Sequence, residues 1–229
     1  MRRLLPLLAA AALGCSNITD VGNGVVALEV KVPSRLELEV GDTIQLSARA
    51  LDRAGDSVAA EIGWSTPDAT VSVDPATGRA TGLAPGTGRI QATQGTLISD
   101  FLTFTILGRA DSLAVAPGAV IVAPGVSSSA PLVAQLLGAA GSSLAGHRLI
   151  YTVTDPPLGD AAAPAIRFSN GAIVDTVLTA ADGTPSSPVT LDRVTGLTAP
   201  PQAAVQVRAL RPSGAAVAGS GQTIAVIFQ

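Results

Sequence analysis

The stretch WSTPDATVSVDPATGRATGL, Trp64 to Leu83, decides how the chain is read. It begins on the aromatic of an apolar-x-aromatic pair, Ile62-x-Trp64. It then makes a turn signal, Asp74-Pro75-Ala76-Thr77-Gly78, and ends on Arg79-x-Thr81-Gly82-Leu83. These landmarks return in the same order further on, as Leu149-x-Tyr151 and Arg193-x-Thr195-Gly196-Leu197. Two earlier landmarks return with them. Pro33-x-x-Leu36-x-Leu38-x-x-Gly41 is repeated as Pro117-x-x-Val120-x-Val122-x-x-Gly125. Ala54-Gly55-x-Ser57-Val58-Ala59 is repeated as Ala140-Gly141-x-Ser143-Leu144-Ala145. Self-similarity in a fixed order marks tandem units. The second copy carries about 27 extra residues between Tyr151 and Arg193.

Each copy reads as strands. Ile44, Leu46, Ala48 and Ala50 alternate with Gln45, Ser47 and Arg49, Leu102, Phe104 and Ile106 with Thr103 and Thr105, and Leu149, Tyr151 and Val153 with Arg148 and Thr152, while Ile224, Val226 and Phe228 recur at the same spacing. A period of two puts one face in a core and one in water, the habit of antiparallel sheets. Further turn signals, Ala84-Pro85-Gly86, Asp182-Gly183 and Pro212-Ser213-Gly214, punctuate the runs. After the first residues no stretch sustains a helical period. The expected class is all-β, two tandem β-sandwiches divided near Gly108 to Ala110.

The start of the chain is different. Arg2 and Arg3 precede a run, Leu4 to Leu13, that is apolar apart from Pro6. This is the layout of a secretory signal. Ten residues of helix rise about 15 Å, half of a hydrocarbon core of about 30 Å, so a spanning helix is not expected. Ala12-Leu13-Gly14-Cys15 resembles a bacterial lipobox, although Leu is more usual at position 12 and a small residue at 13. The resemblance implies that Cys15, the only cysteine among 229 residues, becomes a lipid-carrying N-terminus. Ser16 after it resembles the sorting pattern of outer-membrane lipoproteins. The expected division is signal peptide 1–14, lipid-anchored tether 15–24, first sandwich 25–108 and second sandwich 109–229.

The first copy, from Val25 to about Leu107, resembles a bacterial Ig-like domain of group 2. The residues that carry the likeness are Pro33, Gly41, Trp64-Ser65, Val73-Asp74, Gly78, Thr81-Gly82-Leu83, Gly86-Thr87 and Ile90 to Ala92. In the second copy, Gly141-x-x-Leu144-Ala145-Gly146-x-x-Leu149-x-Tyr151 and Ala181-Asp182-Gly183-Thr184-Pro185 are similar to the group 1, invasin-like pattern. It lacks the Trp-Ser pair and holds the insertion. Both likenesses imply Ig-like sandwiches on bacterial surfaces, used as spacers or in adhesion.

Chemistry is sparse. The formal charge is −3, with 14 basic and 17 acidic residues, and no basic patch suits nucleic acid. The single histidine, His147, has no G-x-S-x-G frame to make a triad and reads as a surface residue. The single lysine, Lys31, follows no Gly-rich phosphate loop. One Cys and one His do not make a zinc site. Asp52 and Asp56 flank Gly55, and Asp155 and Asp160 flank Pro156-Pro157. Neither pair reaches the oxygen count of calcium, so both read as turn aspartates. No metal, cofactor or enzymatic activity is expected.

Trp64, Tyr151, Phe104 and Phe228 fall on inward positions, which leaves Phe101 and Phe168. Phe101 is out of phase with Leu102 and Phe104, which suits the wet face. In the insertion, Ile166-x-Phe168 and Ile173 to Leu178 read as a hairpin turned by Asn170-Gly171. Asp155 to Pro164 reads as an exposed Pro/Ala-rich loop. The candidate binding region is therefore Asp155, Pro156, Pro157, Asp160 and Phe101. The favoured function is a non-enzymatic, lipid-anchored envelope spacer, scaffold or adhesion module, tied to membrane through lipid, with an envelope protein or glycan as partner. A polysaccharide- or protein-binding subunit of a surface assembly is the alternative, and a hydrolase a remote third.

Overall fold

The computed structural model describes residues 24–155, 165–194, 196 and 202–229. All regular structure among them is β. The first unit holds β1 (Ala27–Lys31), β2 (Glu37–Glu39), β3 (Thr43–Gln45), β4 (Ser47–Leu51), β5 (Ser57–Val58), β6 (Gly63–Ser65), β7 (Val71–Val73), β8 (Arg79–Gly82), β9 (Gly86–Gln94), β10 (Leu97–Ile98) and β11 (Leu102–Leu107). The second holds β12 (Ala110–Val115), β13 (Ala119–Val122), β14 (Ala134–Gly138), β15 (Arg148–Asp155), β16 (Ile166–Phe168), β17 (Val174–Leu178), β18 (Leu191–Arg193), β19 (Gln202–Leu210) and β20 (Gln222–Phe228). Both are Ig-like β-sandwiches. Each has its own core, one built from buried residues between Leu38 and Ile106, the other from residues between Ala110 and Phe228.

The repeated landmarks have structural counterparts. Trp64 of β6 lies opposite Ala92 of β9, and Tyr151 of β15 lies opposite Val207 of β19. Each aromatic thus stands on the strand beside the long central strand of its unit. The Pro-x-x-apolar-x-apolar landmark supplies β2 in one copy and β13 in the other. β2 pairs with β11, and β13 with β20. Both pairings are parallel, within sheets that are otherwise antiparallel. The period-two pattern carries no information about strand direction, so it could not distinguish them.

Asp74-Pro75-Ala76-Thr77-Gly78 turns because the Asp74 carboxylate accepts the N–H groups of Thr77 at 2.7 Å and Ala76 at 3.0 Å. The Thr77 bond, chiefly, holds the Asp74 carboxyl below the ordinary carboxylate range. Gly78 closes the turn at φ +71°, and a Cβ there would stand 2.6 Å from Nε1 of Trp64. Only glycine lets the indole lie against this turn.

The insertion does not form the expected hairpin. Its turn is present: Phe168 N–H donates to the Ala172 carbonyl at 2.8 Å, and Gly171 N–H to the Phe168 carbonyl at 2.8 Å. The flanking strands then part. β16 pairs with β18, while β17 pairs with the free edge of β15. That edge gives Val174 to Leu178 five opposed residues, Arg148 to Thr152, where three-residue β16 has three at most. The longer ladder satisfies more backbone groups. The insertion therefore adds an outer strand to the five-stranded sheet β13-β20-β19-β15-β17.

Trp64 is 6% exposed. Trp64→Ala is expected to lower the unfolding free energy by about 3–5 kcal/mol, read by urea denaturation. A native fluorescence spectrum typical of indole in water would contradict the buried placement.

Candidate functional site

The two sandwiches are joined almost without a linker. β11 ends at Leu107 and β12 begins at Ala110, leaving Gly108 and Arg109 between. Two residues reach no more than about 7 Å, so the facing ends of the units must touch. Gly108 is packed so closely that a Cβ on it would lie 2.0 Å from the Ser143 carbonyl oxygen. Gly146, at φ +88°, brings the second unit against the Leu107 side chain, 3.2 Å from where its Cβ would be.

This contact brings three polar side chains together, Glu39 and His147 buried and Arg211 partly buried. Leu38 of β2 points into the first core, so its neighbour Glu39 points the other way, which would normally be water. Here the second sandwich covers that side, and Glu39 is 0% exposed. Its Oε2 accepts a hydrogen bond from Nη1 of Arg211. The turn Pro212-Ser213-Gly214 presents that arginine: Gly214 N–H donates to the Arg211 carbonyl at 2.8 Å, with Gly214 at φ +85°. Nη2 of Arg211 donates to the Ala110 carbonyl at 2.6 Å. One guanidinium thus grips the carboxylate of the first unit and the first residue of β12.

His147 completes the joint. It is buried, 2% exposed, which corrects its reading as a surface histidine. The alternation of β15 does not extend to it; the partner sandwich and the linker bury it. Its Nε2 lies 2.8 Å from the Gly108 carbonyl oxygen, and its Nδ1 lies 3.6 Å from Oε1 of Glu39. Its backbone N–H donates to Oγ1 of Thr179 at 3.0 Å, and that hydroxyl donates to the Leu144 carbonyl. At the rim Arg148 stands 3.9 Å from Glu37, with both side chains about half exposed or more. A cleft of about 240 Å³ opens there, lined by Glu37, Leu107, Arg148, Ile150, Leu210 and Pro212 among others.

Sequence reasoning missed Glu39 and Arg211, because a carboxylate in an alternating strand and an arginine before a turn both look solvated. One signal was available: the copies abut without a Gly/Ser-rich spacer, which makes charged residues near both ends candidates for the joint.

The other candidates are dispersed. Phe101 is 47% exposed, as its phase implied. The Arg89 guanidinium lies 5.2 Å over its ring. Asp68 holds that guanidinium by Nε at 2.9 Å and Nη2 at 2.8 Å. These side-chain bonds place the Asp68 carboxyl below the ordinary range and raise Arg89 further. Asp155, at the exposed end of β15, belongs to the other sandwich. Cys15, Pro156, Pro157 and Asp160 lie outside the described residues, as does most of the expected Pro/Ala-rich loop. Phe168, the other aromatic left over by the inward pattern, is buried at 1% and meets Tyr151 edge-on, ring centres 6.5 Å apart. Burial pushes the Tyr151 phenol upward, and its hydroxyl donates to the Leu132 carbonyl at 3.4 Å. Asp52 accepts the N–H groups of Ala54 and Asp56, both at 2.9 Å, as a turn residue does. Among the described residues no three His, Cys, Asp or Glu side chains gather as a metal site. Nor is any helix among them long and apolar enough to cross a membrane.

Residues 28–102 match the bacterial Ig-like domain, group 2. That segment is the first sandwich from the second residue of β1 to the first residue of β11. No curated protein matches the chain. Among solved structures it is similar to the adhesin InvE of Yersinia pseudotuberculosis, at 13% identity and a TM-score of 0.43, over 91% of this chain and 61% of that one. The chain thus spans about three fifths of the InvE structure. It is also similar to fibronectin(III)-like modules of CbhA from Clostridium thermocellum, at 13% identity and a TM-score of 0.42, over 88% and 94%. Domains 4 and 5 of the S-layer protein SbsC are similar at 16% identity and a TM-score of 0.33, over 89% and 98%.

Magnitudes separate the joint from surface ion pairs. Breaking a buried pair leaves an uncompensated charge and costs about 3–5 kcal/mol, whereas an exposed pair contributes about 0–1 kcal/mol. Arg211→Met is therefore expected to lower the unfolding free energy by about 3 kcal/mol in urea denaturation. Arg49→Met, which removes the exposed pair with Glu29, should change it by less than about 1 kcal/mol. Equal effects would mean that Glu39 is not sealed from water.

Proposed function

We propose that the chain is a non-enzymatic, lipid-anchored envelope protein whose two Ig-like sandwiches form a stiff spacer or scaffold, presenting the far end of the second sandwich to an envelope protein or glycan. The observation that carries this reading is the linker-free joint. A module meant to flex would separate its domains with a polar linker. Here Gly108 and Arg109 leave no slack, and Glu39 is buried only while the sandwiches stay seated. The group 2 Ig-like match of the first sandwich agrees with a structural role. The anchor and its outer-membrane destination rest on the lipobox resemblance around Cys15. Two or more acyl chains, at about 0.8 kcal/mol per buried methylene, would hold such a module stably at a membrane.

Two experiments test the two halves of this reading. For the anchor, the wild-type protein should incorporate a fatty-acid probe and partition into the detergent-rich phase, and Cys15→Ser should do neither. Equal labelling of both forms would remove the anchor. For the spacer, the chain has one Trp and one Tyr, and Trp64 and Tyr151 lie in different cores. Thermal unfolding in mild acid, followed by the signal of each, should give coincident midpoints, since coupled units melt together. Midpoints separated by more than about 3 °C would show two independent beads.

A further inference from the structure

Histidine occurs once in the sequence, and it stands in the joint with its side chain 1% exposed. One side of its ring is settled by its partner. Nε2 faces the Gly108 carbonyl oxygen at 2.8 Å. A carbonyl only accepts, so Nε2 carries a hydrogen and donates it. In a neutral ring this leaves Nδ1 bare. Nδ1 faces Oε1 of Glu39 at 3.6 Å, and neither atom has a hydrogen-bond partner among the described residues. Two buried acceptors then confront each other. The carboxylate does not resolve the conflict by taking a proton itself, because its other oxygen is held by the Arg211 guanidinium, which favours the charged carboxylate. A hydrogen on Nδ1 does resolve it: both ring nitrogens become donors, and each faces an acceptor.

We propose that the joint takes up one proton, on Nδ1 of His147, as the sandwiches seat on each other, so that mild acid tightens their coupling and mild alkali loosens it. This rests on the reading of the two sandwiches as a coupled spacer. The charged groups around the ring are consistent with it. From β2 come Glu39 and, at the rim, Glu37. From the turn after β19 comes Arg211. Arg148, which opens β15 directly after His147, stands 3.9 Å from Glu37. From the linker comes Arg109, itself 3.8 Å from Asp111. Asp42 turns its carboxylate to the Glu39 backbone N–H at 3.4 Å. Thr179, on the remaining side, is uncharged. Arg211 and Glu39 balance, so the added proton leaves one net positive charge in the joint. Burial opposes that charge, and the two acceptors facing the ring favour it. The sign comes from linkage. The seated state binds the proton that the separated state releases, so coupling grows as pH falls and is lost as pH rises.

The test uses the full chain labelled with ¹⁵N in the histidine ring, whose signals belong to His147 alone. Titration between about pH 5 and pH 9 reads the Nδ1 hydrogen directly. In the wild type it is expected to persist to a higher pH than in Glu39→Gln, which removes the negative charge facing Nδ1. The Trp64 and Tyr151 melting midpoints should coincide below that transition and separate above it. Three outcomes overturn the proposal: the same titration in both proteins, a ring with Nδ1 bare throughout, or melting midpoints that stay together across the transition. The last leaves the spacer reading intact. Midpoints that are separate even in acid would sink the spacer reading itself. Should Glu39→Gln fail to fold, the wild-type titration and its melting midpoints decide the matter alone.

Discussion

The arrangement of this chain depends on the burial of one carboxylate. Glu39 is fully enclosed because two residues, Gly108 and Arg109, are all that separate the last strand of one sandwich from the first strand of the next. A carboxylate taken out of water without a partner costs several kcal/mol, so the joint cannot be a neutral contact. It is either compensated or driven apart. Arg211 supplies the compensation from the second sandwich and also binds the Ala110 carbonyl, so a residue far along the chain ties the units at the point where they meet. Replacing such a pair by apolar residues of similar volume is often no less stable. What the ion pair adds is orientation, because a guanidinium fork satisfies its acceptors in few geometries.

The two sandwiches solve their core problems differently on one plan. The first lays Trp64 against Gly78, where no Cβ intrudes, and buries Phe104 in the same core. The second replaces the tryptophan with Tyr151 and adds Phe168 edge-on, drawn from the insertion. The same insertion lengthens the five-stranded sheet by β17. In both units a strand after the proline landmark pairs in parallel with the last strand. Because β2 is that strand in the first unit, its outer face is turned to the joint, and Glu39 occupies it.

Much of this was legible. Alternation at Leu102, Phe104 and Ile106 and at Leu149, Tyr151 and Val153 announces buried faces, since a period of two has one structural meaning. Local chemistry also reads directly, as at Asp74 to Gly78 and Asn170-Gly171. Strand partners beyond a turn do not. Asn170-Gly171 reverses the chain as expected, yet β16 and β17 leave for different sheets, because the competing edge of β15 is far away in sequence. His147 and Glu39 failed for the same reason. Each lies where local pattern says water, and each is covered by residues of the other sandwich or the linker, distant in sequence. Of the candidate binding residues, Phe101 stands exposed beneath Arg89, Asp155 lies on the other sandwich, and the rest fall outside the described residues.

The central claim is that the sandwiches form one body, and the distance between them tests it most directly. With Cys15→Ser to leave no other thiol, spin labels at Ile98→Cys and Val174→Cys, both exposed and one on each unit, report that distance by pulsed dipolar spectroscopy. A single narrow distribution is expected, and four Gly/Ser residues inserted between Gly108 and Arg109 should broaden it. A distribution in the uninserted chain as broad as in the inserted one would mean that the joint does not hold, and the account would fail.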